Sequence, residues 1–214
     1  MQTKDHNEII AKIATAMFKP YGIKRKGRSR TFLDDHGWYT IIIEFQPSSW
    51  SKGTYLNIGI NFHWYLKNYF SFDIGDRENE FVDFVNEEQF TERVNKLCEK
   101  SIQKIIEYRN NMRNIKTAEK LIFNHTFTSD DLWGDYHRGI ISGLIGNMNR
   151  MNKCFNKLLT VNDNTEWIIE LKQNIKELIE ISNNKENKFK ETIIDLIKET
   201  RKAKRLIEME IIID

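Results

Sequence analysis

GIKRKGRSRTFLDDHGWYTIIIEFQPSSWSKGTYLNIGINF, residues 22–62, decides the fold. Within it Tyr39, Ile41, Ile43 and Phe45 alternate with Trp38, Thr40, Ile42, Glu44 and Gln46. Further on, Leu56, Ile58, Ile60, Phe62 and Trp64 alternate with Tyr55, Asn57, Gly59, Asn61 and His63. Strict alternation predicts antiparallel strands with one packed face and one more open face. Asp34-Asp35-His36-Gly37 is turn chemistry between two β-rich runs, so the first strands form a hairpin. Residues 69–74 repeat the pattern, with Phe70, Phe72 and Ile74 opposed by Ser71 and Asp73. The result is a meander of about four strands.

Helical spacing surrounds this sheet. Asp5, with Glu8 three residues later, caps a run in which Ile9, Ile13 and Met17 share one face; Pro20 and Gly22 stop it. This helix is expected to cover the apolar side of the sheet. From Asn86, paired with Gln89 as a second capping box, the period becomes helical toward Arg113. A short helix around residues 118–123 follows. Thr128 or Ser129 then opens one long helix through Leu158, and two more fit residues 167–181 and 189 to about 209, split by Ser182-Asn183-Asn184. The expected architecture is α+β: an N-terminal helix on an antiparallel meander of about four strands, then an all-helical C-terminal region. Domains are placed at 1–114 and 115–214, the second independent or packed on the sheet.

At 214 residues, 40% hydrophobic and 30% charged, the chain can bury a core without disulfides or metals. Cys98 and Cys154 read as buried thiols of an intracellular protein. The first twenty residues are amphipathic, without the apolar core of a secretory signal, and no window reaches the length of a membrane span. A cytoplasmic protein with no membrane partner, cofactor or metal is expected. A net charge of +2 commits to no polyanion, so any charge that matters is local.

Lys19, Lys24, Arg25, Lys26, Arg28 and Arg30 place six positive charges in twelve residues. Such a run can hold nucleic-acid phosphates, with Trp38 or Trp50 to stack on a base. It can equally be a charged strand edge, faced by the acids between Asp73 and Glu92. Glu44, Gln46, Asn57, Asn61 and His63 fall on the second strand face, and Trp50 sits on its rim. Amides beside a carboxylate and an imidazole can orient a polar ligand.

Glu44-Phe45-Gln46 with Asp34 and Asp35 imitates a metal-dependent nuclease core. Treated as one strand, Asp35 and Glu44 stand ~30 Å apart, too far for one metal. Asp135 and His137 point to different helix faces, and Asp130 and Asp131 suit a helix N-terminus, so with His125 they read as structural. Gly139, Gly143 and Gly146 either let another helix approach or split the one they lie in.

Gly22-Ile23-Lys24-Arg25-Lys26-Gly27-Arg28, Thr31-Phe32, Phe45-Gln46-x-Ser48-x-Trp50 and Asn57-Ile58-Gly59-Ile60 together resemble a bacterial family of unknown function. Its members carry G-F-K-R-x-G-R, F-Q-K-S and N-x-G motifs. This chain departs from them at Ile23, where Phe is usual, and at Pro47, where Lys is usual. The resemblance covers the first half only, implies an α+β fold and assigns no catalytic residue. The favoured expectation is a non-enzymatic binding protein whose partner is another protein, as in an immunity-type protein masking a toxin. The alternative is nucleic-acid binding through residues 24–30, and a nuclease-like enzyme stands third.

Overall fold

The computed structural model describes residues 5–127, 132–184 and 186–214. They divide into two compact units, Met1–Phe62 with Phe70–Asn110, and His63–Tyr69 with Asn111–Asp214.

In the first unit α1 (His6–Phe18) starts at Asp5, whose carboxylate accepts from the Asn7 amide. A single 3-10 turn leads to β1 (Lys24–Arg25), β2 (Thr31–Asp35), β3 (Tyr39–Gln46), β4 (Gly53–Phe62) and β5 (Ile74–Arg77). All pair antiparallel with the next in that order, and β6 (Val82–Asp83) pairs with the start of β4. The register sets Ile41 against Ile60, Ile43 against Ile58 and Phe45 against Leu56, so the alternating apolar residues of both strands share one face. Phe18 of α1 meets that face, its ring 5.1 Å from Phe32 and 6.4 Å from Phe45. α2 (Glu87–Asn111) begins where Asn86 Oδ1 accepts from the Gln89 amide at 2.8 Å. It buries Phe90, Val94, Leu97, Cys98, Ile105 and Tyr108.

The sheet therefore has six strands where alternation suggested about four. Residues 70–73 are not a strand, despite their alternation. Ser71 and Asp73 turn their side chains to Asn61, and although Asp73 N donates to Ile60 O at 2.8 Å, strand pairing begins only at Ile74.

The second unit holds α3 (Ile115–Asn124), α4 (Leu132–Leu144), α5 (Met148–Leu159), α6 (Glu166–Asn184) and α7 (Glu186–Ala203). The single long helix expected up to Leu158 is two helices. Gly146 has φ +81°, which ends α4, and Asn147 accepts from the Arg150 amide to start α5. The expected start at Thr128 or Ser129 lies outside the described residues. α7 stops at Ala203, short of Met209, because Arg205 turns left-handed at φ 57° and the chain runs on without regular structure. Ile211 and Ile213 of that tail are buried, and Lys190 Nζ donates to Ile213 O at 2.6 Å. Trp64 is fully buried here, its Nε1 donating to His137 Nδ1 at 2.9 Å while its carbonyl accepts from Tyr136 Oη at 2.7 Å. Among the described residues no helix is long and apolar enough to cross a membrane.

Gly139 and Gly143 are contact points between helices. A Cβ at Gly139 would lie 2.2 Å from the Phe155 ring of α5, and one at Gly143 would lie 2.4 Å from the Phe189 ring of α7. Neither ring can retreat in a packed core without a local shift. Gly139→Ala and Gly143→Ala should each destabilise by about 1–3 kcal/mol in urea unfolding. Asn174→Ala, on the exposed side of α6, should be neutral or slightly stabilising. Two alanines at the glycines as mild as the control would refute the close approach.

Candidate functional site

One end of the first unit gathers the chemistry. The β1–β2 turn, the loop 47–52 and β6 lie side by side there, in the order of the strands that carry them. Trp50 at the tip of the loop is 95% exposed. The base of the loop is firmly held. Arg30 donates Nε to Asn7 Oδ1 at 2.5 Å and Nη1 to Gly53 O at 3.1 Å, tying loop, turn and α1 together. Phe84 N donates to Lys52 O at 2.9 Å, and Thr54 Oγ1 reaches Gln46 O at 3.3 Å. At Gly53 a Cβ would fall 2.2 Å from Val82 O, so only glycine lets β6 close on the loop.

A polar band crosses the adjoining sheet face. Glu44 pairs with Asn57 in register, and Asn57 with Arg77. Asn57 Nδ2 donates to Glu44 Oε2 at 3.0 Å and to Gln46 Oε1 at 2.9 Å. Arg77 Nη2 reaches the same Gln46 oxygen at 2.9 Å, and its guanidinium carbon sits 3.9 Å from the centre of the Tyr55 ring. The three amide and carboxylate groups anticipated from alternation thus meet, with Arg77 as a fourth member. Sequence reading missed Arg77 because its place depends on pairing that begins at Ile74.

The other expected members of this face do not join them. Asn61 is fully buried, donating to Ser71 Oγ at 3.0 Å and Asp73 Oδ2 at 2.9 Å, while Phe72 lies over Gly59. On β3 and β4 this side of the sheet is open at Glu44, Gln46, Tyr55 and Asn57 and closed at Thr40, Ile42, Gly59 and Asn61. His63 belongs to the second unit, where its Nδ1 lies 3.0 Å from Lys204 Nζ. Burial first, then Lys204, Arg201 and Lys67, hold its pKa well below the ordinary histidine value, so it stays neutral. As a partly exposed ligand both residues are corrected to buried structural groups.

The basic run also separates by role. Arg25 closes its own turn, with Nε on Ser29 O at 2.7 Å and Nη2 on Arg28 O at 2.8 Å. Arg30 is the half-buried strut just described. Lys24, Lys26 and Arg28 are exposed and form no ion pair among the described residues. Lys26 Nζ stands 4.7 Å from the centre of the Phe70 ring.

The nuclease-like carboxylates are arranged differently from a single-strand reading. Asp35 is on β2 opposite Thr40, and Glu44 is on β3, four residues further along. About 13 Å separates them along the sheet, less than the ~30 Å of one extended strand and still beyond a shared metal. Asp34 is 4% exposed, with Arg109 Nε and Nη2 on its two oxygens at 2.9 and 2.7 Å and His36 Nε2 at 2.8 Å. Asp135 pairs with Lys157 Nζ at 2.6 Å, whereas Asp130 and Asp131 lie outside the described residues. Among the described residues no three His, Cys, Asp or Glu side chains converge on a common point. Burial, aided by Glu99, pushes the Cys98 thiol up to about 12, which keeps it protonated. In comparisons with known proteins the chain matches no family model, no curated protein and no solved structure.

Asp34 fastens the β2–β3 hairpin to α2 through Arg109. Burial alone pushes its pKa up, but the hydrogen bonds from His36 and Arg109 outweigh that and hold it below the usual carboxylate value. A depressed folded pKa means stabilisation that is complete above the unfolded value near 4 and is lost as pH falls through the folded one. Arg109→Met should cost about 2 kcal/mol at neutral pH, below the 3–5 of a fully buried pair because the arginine is partly solvated. The gap between wild type and Asp34→Asn should shrink once pH drops below about 4. A gap that stays constant into acid would refute the clamp.

Proposed function

We propose that this chain is a non-catalytic protein-binding protein that docks through the Trp50 end of its sheet. The observation that carries the reading is Trp50 itself, 95% exposed on a loop whose base is fixed by Arg30, Thr54 and β6. An indole in water forgoes the burial of roughly 150–250 Å² of surface, and a held loop loses little entropy when it docks. Tryptophan and arginine are also the residues most often found to dominate binding energy at interfaces.

The charges around the indole favour a folded protein over a polyanion. Lys26 and Arg28 lie on one side, the exposed Glu80 and Asp83 lie on the other, and a single cation, Lys52, shares the loop with the indole. A phosphate backbone gains from the first pair and is repelled by the second. A toxin masked by this surface is one partner of the favoured kind.

A photo-crosslinking amino acid at position 50 should give protein adducts in host cells, whereas one at exposed Asn174 should not. Trp50→Ala should remove partner capture and leave the melting temperature unchanged, since the side chain supports nothing in the fold. Equal labelling from both positions, or a large loss of stability, would contradict the reading.

One observation favours a second reading. Lys24, Lys26 and Arg28 are exposed without ion pairs, the arrangement a phosphate backbone requires. If nucleic acid is the partner, an RNA or DNA mobility shift should weaken steeply with salt and vanish when the three become alanine. Binding that survives their loss would exclude it.

A further inference from the structure

Turn, loop and β6 follow one another along the end of the sheet. With strands ~4.8 Å apart, the β1–β2 turn sits about 10 Å from the centre of the Trp50 loop, and β6 about 7 Å on the opposite side. The surface is therefore a line: cations Lys26 and Arg28, then the bare indole with the exposed Lys52 two residues on, then anions Glu80 and Asp83. None of the four flanking charged groups forms an ion pair among the described residues. A patch with an apolar centre and opposite charges on its two flanks is complementary to itself. A two-fold axis through the indole, lying in the contact plane and crossing that line, sets each copy's cations against the other's anions.

Resting on the docking role of this end, we propose that its occupant is a second copy of this chain, joined across a two-fold axis at Trp50. The two indoles meet at the axis, where an aromatic pair is favourable in offset or edge-to-face geometry. The flanking pairs, Lys26 and Arg28 of one copy with Glu80 and Asp83 of the other, then occur twice. They set orientation and rate of encounter more than affinity, which the indoles supply. Nucleic acid would use only one flank and would leave the acidic one opposed.

Sedimentation velocity of the 214-residue chain across a wide concentration range tests this directly. Wild type should form a dimer that weakens as salt rises. Trp50→Ala should weaken it by about tenfold or more, the size expected of a central interface residue. The variant Lys26→Glu with Arg28→Glu should be monomeric, and so should Glu80→Lys with Asp83→Lys. An equal mixture of the two should dimerise again, because one contact is restored with its charges exchanged and the other retains the native pair. All five side chains are exposed, so circular dichroism and melting should match wild type and certify each fold.

A chain that is monomeric at every concentration, a Trp50→Ala dimer of undiminished strength, or a mixture that stays monomeric would overturn the proposal. So would RNA binding by wild type that Glu80→Lys with Asp83→Lys strengthens. A monomer whose position 50 still crosslinks to a different protein defeats self-docking alone. Absence of any adduct defeats the docking reading as well.

Discussion

The register of β3 against β4 is the constraint on which the rest of the structure depends. Eight consecutive pairs, from Tyr39 with Phe62 to Gln46 with Tyr55, bring the odd residues of one strand to the even residues of the other. Because side chains alternate, a slip of one residue would carry Glu44 and Gln46 into the layer filled by Phe18 and Phe32. It would also take Ile41, Ile43 and Phe45 out of the layer they share with Ile60, Ile58 and Leu56. A buried unpaired carboxylate and three side chains lost from the core layer each work against that alternative. The same register decides that Glu44 meets Asn57 and that the loop between the strands emerges beside the Arg30 turn.

From that alignment the polar band and the Trp50 loop inherit their rigidity. Arg30 is pulled in two directions, toward Asn7 of α1 and toward Gly53 at the loop base. Burial lowers its pKa, with Asp5 acting the other way. Its charge is consequently spent on holding the turn against the loop. Lys26 and Arg28, four and two residues before it, remain exposed. A cluster of six cations in sequence is thus two structural arginines and a smaller set that faces solvent.

Much of the first unit was legible because its signals are local. Alternation marked β3 and β4, Asn86 with Gln89 marked the start of α2, and Trp50 stood out in a polar loop. Other features depend on distant residues, which a single sequence does not bring together. Phe70 and Phe72 alternate like strand residues, yet Asn61 draws Ser71 and Asp73 into side-chain bonds and the strand starts only at Ile74. His63 continues the alternation of β4 without interruption, but β4 ends at Phe62 and His63 meets Lys204, far along the chain. Asp34 looked like turn chemistry, and only the arrival of Arg109 from α2 makes it a clamp.

Charge placement around Trp50 limits what the surface can hold. At 0.15 M ionic strength the Debye length is about 8 Å, comparable with the ~7–10 Å between the indole and either flank. A partner centred on the indole therefore feels each flank separately, while the net charge of +2 has little influence at that range. Uniformly charged polymers gain on one side and lose on the other. A compact partner with its own pair of opposite flanks gains on both, and the exposed indole supplies the contact that neither charge alone would provide. The order of charges and indole at this end of the sheet thus follows from three short segments along neighbouring strands, which the β3–β4 register aligns.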